Sequence, residues 1–157
     1  MIKNSPRKQD GYKLIKSNKI EFSEQSVPLD PYLFGYWLGD GDSNSPRFTT
    51  ADQEIIDYLQ EFANANNMKI SIADCENSKI CKHVYLGKGD NKSNIIIDAL
   101  RNLNVLNNKH IPDCYLYNSR ENLLKLLAGF IDSDGSYHKD KHCIEITQPE
   151  AHTRLID

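Results

Sequence analysis

Two aspartates, Asp40 and Asp134, stand at the eighth position of two similar nonapeptides. The first, LFGYWLGDG, begins at Leu33, and the second, LAGFIDSDG, begins at Leu127. Leu, Gly, Asp and Gly recur at positions one, three, eight and nine, at an offset of 94 residues (134 − 40). A repeat at this spacing predicts two copies of one structural unit. Two carboxylates brought together by such a repeat would suit an oxygen-ligated divalent cation.

The residues that precede each aspartate are mostly apolar, and small residues stand four apart among them. Gly35 and Gly39 are the small pair in the first copy, and Gly129 and Ser133 are the pair in the second. Residues four apart share one face of a helix. A face without bulky side chains allows a second helix to approach closely. The pattern therefore predicts two helices that pack on each other through these four residues.

Each predicted helix ends at the glycine that follows its aspartate, Gly41 or Gly135. A left-handed residue commonly ends a helix, and we expect both glycines to adopt that conformation. Asp40 and Asp134 would then lie side by side at one end of the helix pair. This placement is electrostatically unfavourable, because each helix end is already partly negative and a second carboxylate is close. A divalent cation would relieve the repulsion.

The two nonapeptides resemble the paired motifs of the LAGLIDADG homing endonucleases. The second matches nearly letter for letter, and the first has the Gly-Asp-Gly form found in intein-encoded members. The resemblance implies an α+β fold with an αββαββα first half, an incomplete second half, and paired motif helices over a saddle of antiparallel strands. It also implies a site-specific, Mg²⁺-dependent endonuclease that acts on double-stranded DNA and is part of an intein.

The same resemblance implies roles for individual residues. Asp40 and Asp134 would be the catalytic metal ligands, with Gly39 and Ser133 beside them in the metal site. Lys109 matches a lysine near the active site of similar intein endonucleases, where it would polarise the attacking water or the phosphate. A lysine considered without its motif is far more often a surface residue. Asp132 is a weaker ligand candidate, because its counterpart in the first motif is Leu38.

Residues 31–157 are predicted to form the endonuclease domain, with a first half at 31–118 and a partial second half at 119–157. Residues 1–30 resemble the tail of an intein splicing domain, with short strands expected at 13–16 and 19–22. Only 22 residues follow Gly135 (157 − 135), enough for one strand near residues 142–146 and the start of a helix. We therefore expect a second half that is incomplete, a splicing domain that is missing, and dimerisation through apolar residues such as Leu155 and Ile156.

Hydrophobic periodicity predicts the elements between the two motifs. A strand is expected at Arg47–Thr50, followed by a capping box at residues 50–53 and a helix that carries an apolar stripe. Residues 68–72 and 83–86 alternate as in a hairpin, and further helices are expected from Ser93 and near Ser119. In the saddle that the resemblance implies, the residues expected to contact DNA bases or phosphates are Lys69, Ser71, His83 and Tyr85 on the hairpin strands, Lys79 and Lys82 at its turn, and Arg47 on the neighbouring strand. A solvated polar face is the alternative interpretation of this set.

Composition limits the class of protein. The 157 residues are 39% hydrophobic and 26% charged, with a net charge of −3, which argues against indiscriminate binding of nucleic acid. No apolar run approaches the length of a membrane span, and no secretory signal opens the chain. The four cysteines have no paired spacing, so we expect reduced thiols in an intracellular protein, cytoplasmic or nuclear.

Other functions remain as alternatives. The segment at residues 87–93 imitates a phosphate-binding loop but lacks the glycine before its Lys-Ser pair, so a polar turn is favoured. Zinc is disfavoured because the cysteine and histidine spacings fit no standard site. An inactive remnant of an intein or endonuclease, or a DNA-binding module of the same fold without cleavage activity, remains open.

Overall fold

A computed structural model describes residues 20–76 and 78–146, and the elements of this part of the chain form an α+β fold, as predicted. The expected strand at 13–16 and the expected apolar surface at Leu155 and Ile156 lie outside the described residues. In chain order the elements are α1 (Pro31–Asp40), β1 (Arg47–Thr50), α2 (Gln53–Ala65), β2 (Lys69–Cys75), β3 (Ser78–Gly87), α3 (Ile95–Asn102), α4 (Asp113–Leu116), α5 (Arg120–Asp134), β4 (Gly135–His138) and β5 (Cys143–Ile146).

Helices α1 and α5 pack against each other along their small residues. A Cβ atom added to Gly35 would overlap the backbone carbonyl of Leu126, and one added to Gly129 would overlap that of Tyr32. At Gly39 an added Cβ would overlap the side chain of Ser133. The two backbones are thus close enough that no side chain fits between them at these positions.

The strands form two antiparallel sheets among the described residues. The larger sheet has the order β1-β3-β2, and the smaller consists of β4 and β5. Phe48, Val84 and Leu86 from the larger sheet are fully buried in the same core as Leu33 and Trp37 of α1. Helix α2 adds its predicted apolar stripe to this core. The larger sheet therefore fixes the position of α1.

The order of elements differs from the predicted αββαββα half. A single strand, β1, precedes α2, and the only trace of another is an isolated bridge between Gly41 and Phe48 in the described chain. The short helix α4 and the strand β4 were not predicted, and residues 20–22 form no strand. The four residues of α4 and of β4 are too few to show a helical or alternating period, so sequence patterning could not detect them.

The predicted helix ends need correction in two respects. Gly41 and Gly135 have extended backbones, with φ of −82° and −85°, and are not left-handed. Glycine is needed there for space, since a Cβ on Gly135 would lie 2.5 Å from the carbonyl oxygen of Ile131. Thr50 does not cap α2. Its hydroxyl accepts from the amide of Asp52 at 3.1 Å, and Asp52 occupies the N-cap position.

Cys75 and Cys81 form a disulfide bond across the β2–β3 hairpin, so the prediction of four reduced thiols is wrong for this pair. The hairpin turn brings their Cα atoms to 5.5 Å, within the range of a disulfide. Cys114 and Cys143 are free. The separation of six residues carries no signal by itself, because only the folding of the hairpin brings the two thiols together.

Residues 25–30 pack on the segment between α4 and α5. The buried side chain of Asn118 accepts from the amide of Gln25 at 3.1 Å and donates to its carbonyl at 3.0 Å. Leu29 lies in the core, and its amide donates to the hydroxyl of Tyr115 at 3.2 Å. These contacts join the chain before α1 to the start of α5. None of the helices described has the length and hydropathy needed to span a bilayer.

Candidate active site

Asp40 and Asp134 are the last residues of α1 and α5, and the pairing of the two helices brings their carboxyl groups to the same end. A Cβ atom added to Gly39 would lie 2.9 Å from the Cγ of Asp134. The carboxyl of Asp134 is therefore packed against the backbone immediately before Asp40. A glycine at this position leaves the space that Asp134 occupies.

Burial and the charge of Asp134 make ionisation of Asp40 unfavourable. Desolvation, followed by repulsion from Asp134, raises the pKa of Asp40 to about 6. A hydrogen bond from Tyr36 and the nearby charge of Lys109 act in the opposite direction but do not cancel these effects. A bound cation would stabilise both carboxylates, so this end of the helix pair has the electrostatics of a cation site.

The hydroxyl of Tyr36 lies beside Asp40 and was not identified from the sequence. It donates to Oδ2 of Asp40 at 3.3 Å, while the ring is buried in the core. The side chain of Thr50 lies beside the same hydroxyl. A tyrosine within an apolar motif gives no sequence signal for this role, because the ring alone would account for its place in the core.

Lys109 lies at the end of α1, where it donates to three backbone carbonyls. The distances from Nζ are 3.0 Å to Leu38, 3.1 Å to Gly39 and 2.6 Å to Gly41. Because an ammonium group has three hydrogens, these bonds use all of them. Lys109 thus neutralises the negative helix end that carries Asp40. Its predicted contact with water or phosphate stays a prediction.

The environment of Lys109 opposes and favours its charge at the same time. Burial lowers its pKa to about 8, although Asp134, Asp40 and Asp42 favour the ammonium form. The ammonium also lies 5.1 Å from the centre of the Trp37 ring, within the range of a cation–π interaction. At neutral pH Lys109 therefore remains mostly charged, and it supplies a fixed positive charge to the carboxylate pair.

The residues at this end fit Mg²⁺ better than zinc. Within residues 20–76 and 78–146 no group of three or more His, Cys, Asp or Glu side chains is arranged as a metal site. Mg²⁺ commonly needs one or two carboxylates, with water and substrate phosphates completing its shell. Asp40 and Asp134 would supply the carboxylates. The carbonyl of Gly39 already accepts from Lys109, and the hydroxyl of Ser133 donates to the carbonyl of Phe130 at 3.0 Å.

Asp132 lies apart from the carboxylate pair. Its Oδ2 accepts from the hydroxyl of Tyr32 at 2.8 Å. With Glu54 and Tyr58 it lines a separate cavity of about 850 Å³ at the start of α2. Its place in the motif two residues before Asp134 turns it to a different side of α5, because two residues on a helix differ by about 200°.

One face of the larger sheet carries most of the residues predicted to contact DNA. Arg47, Tyr85 and Ser71 stand opposite one another across the three strands, and His83 and Lys69 are on the same side. The side chain of Tyr85 is 44% exposed. Two residues of this face already have partners, since Arg47 Nε lies 2.7 Å from Asp42 Oδ2 and His83 Nδ1 lies 3.1 Å from Thr49 Oγ1.

Lys82 belongs to the opposite face of the sheet. It lies on the same side of β3 as Val84 and Leu86, which are buried. Its ammonium pairs with Asp74 on the neighbouring strand. The period of two along a strand explains the difference, because the even-numbered residues of β3 point away from Tyr85. The side chain of Lys79 lies outside the described part of the structure.

Comparison with known proteins finds similarity to a replicative helicase. A replicative DNA helicase DnaB from Mycobacterium intracellulare is 28% identical to this chain over 125 residues. The match covers 80% of this chain but 17% of the helicase, so the chain spans less than a fifth of the length of that relative. No protein-family model matches the chain.

Proposed function

We propose that this chain is an endonuclease of the LAGLIDADG type that hydrolyses phosphodiester bonds in double-stranded DNA and is associated with an intein. The observation that carries the proposal is the carboxylate pair. Asp40 and Asp134 end two tightly packed helices, in a place where burial and mutual repulsion raise the pKa of Asp40 to about 6. A structural helix pair has no need of two aspartates at this end.

The carboxylate pair would hold Mg²⁺, which when bound lowers the pKa of water and offsets charge on the phosphate. The chain's own residues prepare the site. Asp40 and Asp134 provide the oxygen ligands, and Tyr36 holds one oxygen of Asp40. Lys109 offsets the negative end of α1, which would otherwise repel an incoming phosphate. The packing of Gly39 against Asp134 fixes the separation of the two helix ends.

The exposed face of the larger sheet is the proposed DNA-binding surface. Arg47, Lys69, Ser71, His83 and Tyr85 give it donors and acceptors across three adjacent strands. Antiparallel strands of this width can enter the major groove, where such side chains contact base edges and phosphates. Arg47 would have to exchange its ion pair with Asp42 for a phosphate. Exposed ion pairs contribute little to stability, so this exchange is inexpensive.

Association with an intein is supported by the coverage of the helicase match. An intein lies inside a host protein, and a segment inserted into a host would match most of this chain but a small part of the relative. The match has this form, with 80% of the chain against 17% of the helicase. Sequencing the gene on both sides of this segment tests the association, since in-frame splicing motifs should flank it.

Cleavage can be tested without knowing the target sequence. The protein is incubated with Mg²⁺ and a circular plasmid library that carries random inserts, and the linear products are sequenced. We expect cuts at one related set of inserts, lost in Asp40→Asn and in Asp134→Asn. Asp132→Asn is the matched control, because it changes a neighbouring carboxylate outside the pair and should leave cleavage intact.

The result also separates the alternative functions. Sequence-selective binding to the library without cuts, in the wild-type protein with Mg²⁺, would favour a DNA-binding module that does not cleave. Neither binding nor cutting would favour an inactive remnant. Equal cleavage by wild type and by both asparagine variants would refute the carboxylate pair as the active site.

A further inference from the structure

The hydroxyl of Tyr36 connects the carboxylate pair to the larger sheet. It donates to Asp40 Oδ2 at 3.3 Å, and the side chain of Thr50, the last residue of β1, lies beside it. Because the single hydrogen of the tyrosine is directed to the carboxylate, Thr50 can bond the tyrosine oxygen only as the donor. Thr50 accepts from the amide of Asp52 at 3.1 Å. These contacts run from the start of α2 to Asp40.

Burial limits the movement of the Tyr36 and Thr50 side chains. Tyr36 and Thr50 are 2% and 4% exposed, so water has little access to their hydroxyl groups. A buried hydroxyl that loses its partner leaves an unsatisfied polar group, which is strongly unfavourable. The tyrosine ring is held within the core, with the Phe48 ring centre at 6.3 Å. The hydroxyl that Tyr36 donates to Asp40 is therefore held in place by the sheet as well as by α1.

The two motifs differ at the position of this tyrosine. Phe130 stands at the position of the second motif that corresponds to Tyr36 in the first, and it has no hydroxyl to donate. Phe130 is nearly as buried as Tyr36, at 6% exposure, so the two rings share a packing role. The hydroxyl is the feature that distinguishes the two positions, and it contacts a carboxylate of the pair.

We propose that Tyr36 is a positioning residue that fixes the orientation of the Asp40 carboxylate for cation binding, and that Thr50 holds Tyr36 in place. The proposal rests on the proposed function for the cation, but the orientation of Asp40 does not depend on it. A carboxylate held by a neighbouring donor presents its free oxygen in one direction. Residues that orient a metal ligand in this way typically change affinity by about 10–100-fold when they are removed.

The orientation can be measured without metal or DNA. In protein labelled with ¹³C and ¹⁵N, three-bond couplings report whether the Asp40 side chain occupies one χ1 rotamer or averages among several. We expect one rotamer in the wild type and averaging in Tyr36→Phe, which keeps the buried ring. Tyr32→Phe is the matched control. It also removes the hydroxyl of a tyrosine on α1, but that hydroxyl is bonded to Asp132 and not to Asp40. The Asp40 couplings should not change in this control.

A second measurement follows the cation itself. Mn²⁺ is titrated into the full chain, and the free ion is followed by electron paramagnetic resonance. We expect Tyr36→Phe to weaken Mn²⁺ binding about tenfold and Tyr32→Phe to change it less than twofold. Thr50→Val should weaken binding in the same direction as Tyr36→Phe, and Thr50→Ser, which keeps the hydroxyl, should restore wild-type affinity.

The outcomes are distinguishable. Unchanged Asp40 couplings in both Tyr36→Phe and Thr50→Val would overturn the role of Tyr36, whatever the protein does to DNA. Altered couplings with unchanged Mn²⁺ affinity would overturn the link between orientation and cation binding. If the wild-type protein binds no Mn²⁺, the metal in the proposed function is refuted, and the couplings alone decide whether Tyr36 positions Asp40.

Discussion

Helices α1 and α5 carry the same motif, yet their surroundings differ strongly. In α1 the residues Pro31, Leu33, Phe34, Gly35, Tyr36, Trp37 and Leu38 are buried, whereas in α5 only Leu126, Gly129 and Phe130 are buried within the described structure. Leu33 is 0% exposed, and Leu127, at the corresponding position of the repeat, is 46% exposed. Among the residues that the structure describes, the mutual face is covered in both helices, and the opposite face is covered in α1 alone.

The difference shows which parts of the motif act locally. The small residues and the final aspartate of each motif lie at the contact between the two helices, so each helix provides the surroundings that these residues of the other helix need. The leucine at the first position acts on whatever covers the outer face of its helix. The larger sheet, α2 and α3 cover α1, while the described part of the chain that follows α5 consists of the β4–β5 hairpin. The leucine at the first position of the motif therefore contributes differently to stability in the two copies.

The largest difference in stability should come from leucine-to-alanine substitutions at equivalent positions of the two motifs. Leu33→Ala should lower the free energy of unfolding by about 2–5 kcal/mol, because it opens a cavity in the core. Leu127→Ala should cost less than about 1 kcal/mol, since much of its side chain is already in water. Chemical denaturation measures both. Equal losses would mean that the outer face of α5 is covered as well as that of α1.

The contact between the helices should be the next most sensitive. Gly129→Leu would place a side chain against the carbonyl of Tyr32 and should destabilise the protein by about 3 kcal/mol. Gly87→Ala is the control, because an added Cβ there would meet its nearest atom at an ordinary 3.6 Å. An unchanged melting temperature in Gly129→Leu would contradict the close packing of α1 and α5.

The carboxylate pair should give the protein a specific pH dependence in the absence of divalent cations. The pKa of Asp40 is raised from 3.8 to about 6, so between these values the folded state keeps a proton that the unfolded state has lost. Stability from this residue is therefore complete below pH 4 and is lost as the pH rises to about 6. After allowance for solvent screening the loss is on the order of 1 kcal/mol.

Thermal unfolding of the wild type and of Asp40→Asn at pH 4.5 and pH 7 measures this effect. The variant should lack the Asp40 contribution and should gain stability relative to the wild type at pH 7. Asp57→Asn, a surface substitution on α2, should keep the wild-type difference. A wild-type protein that is stabilised by the same rise in pH, with no response to Asp40→Asn, would contradict the raised pKa of Asp40.

The smallest effect on stability, and the clearest on solubility, should come from the outer face of α5. Leu124 and Leu127 are each 46% exposed and are apolar. We expect the chain to self-associate through this face, and Leu124→Lys with Leu127→Lys to reduce association. Sedimentation over a range of concentrations measures it. Identical sedimentation of wild type and double variant would exclude this face.

The sequence predicted the α+β class and the positions of several regular elements. The strand at Arg47–Thr50 and the helix that begins after Ser119 and ends before Gly135 lie where their patterns placed them. The αββαββα order that the resemblance implied was wrong, and Lys82, predicted at the hairpin turn, lies within β3. The place of the turn depends on the register of the two strands and not on local period. The contact of Lys82 with DNA stays a prediction.

Repetition and periodicity determined, from the sequence alone, that two helices carry aspartates at their ends and that small residues line one face of each. These features are local, since they depend on residues within a few turns of one helix. Tertiary structure decided the contacts that span many residues. Lys109 reaches the carbonyls of α1 from about 70 residues away, with separations of 68, 70 and 71, and Tyr36 meets Thr50 only because β1 folds beside α1. No local sequence pattern indicates these long-range contacts, because they depend on how the core packs.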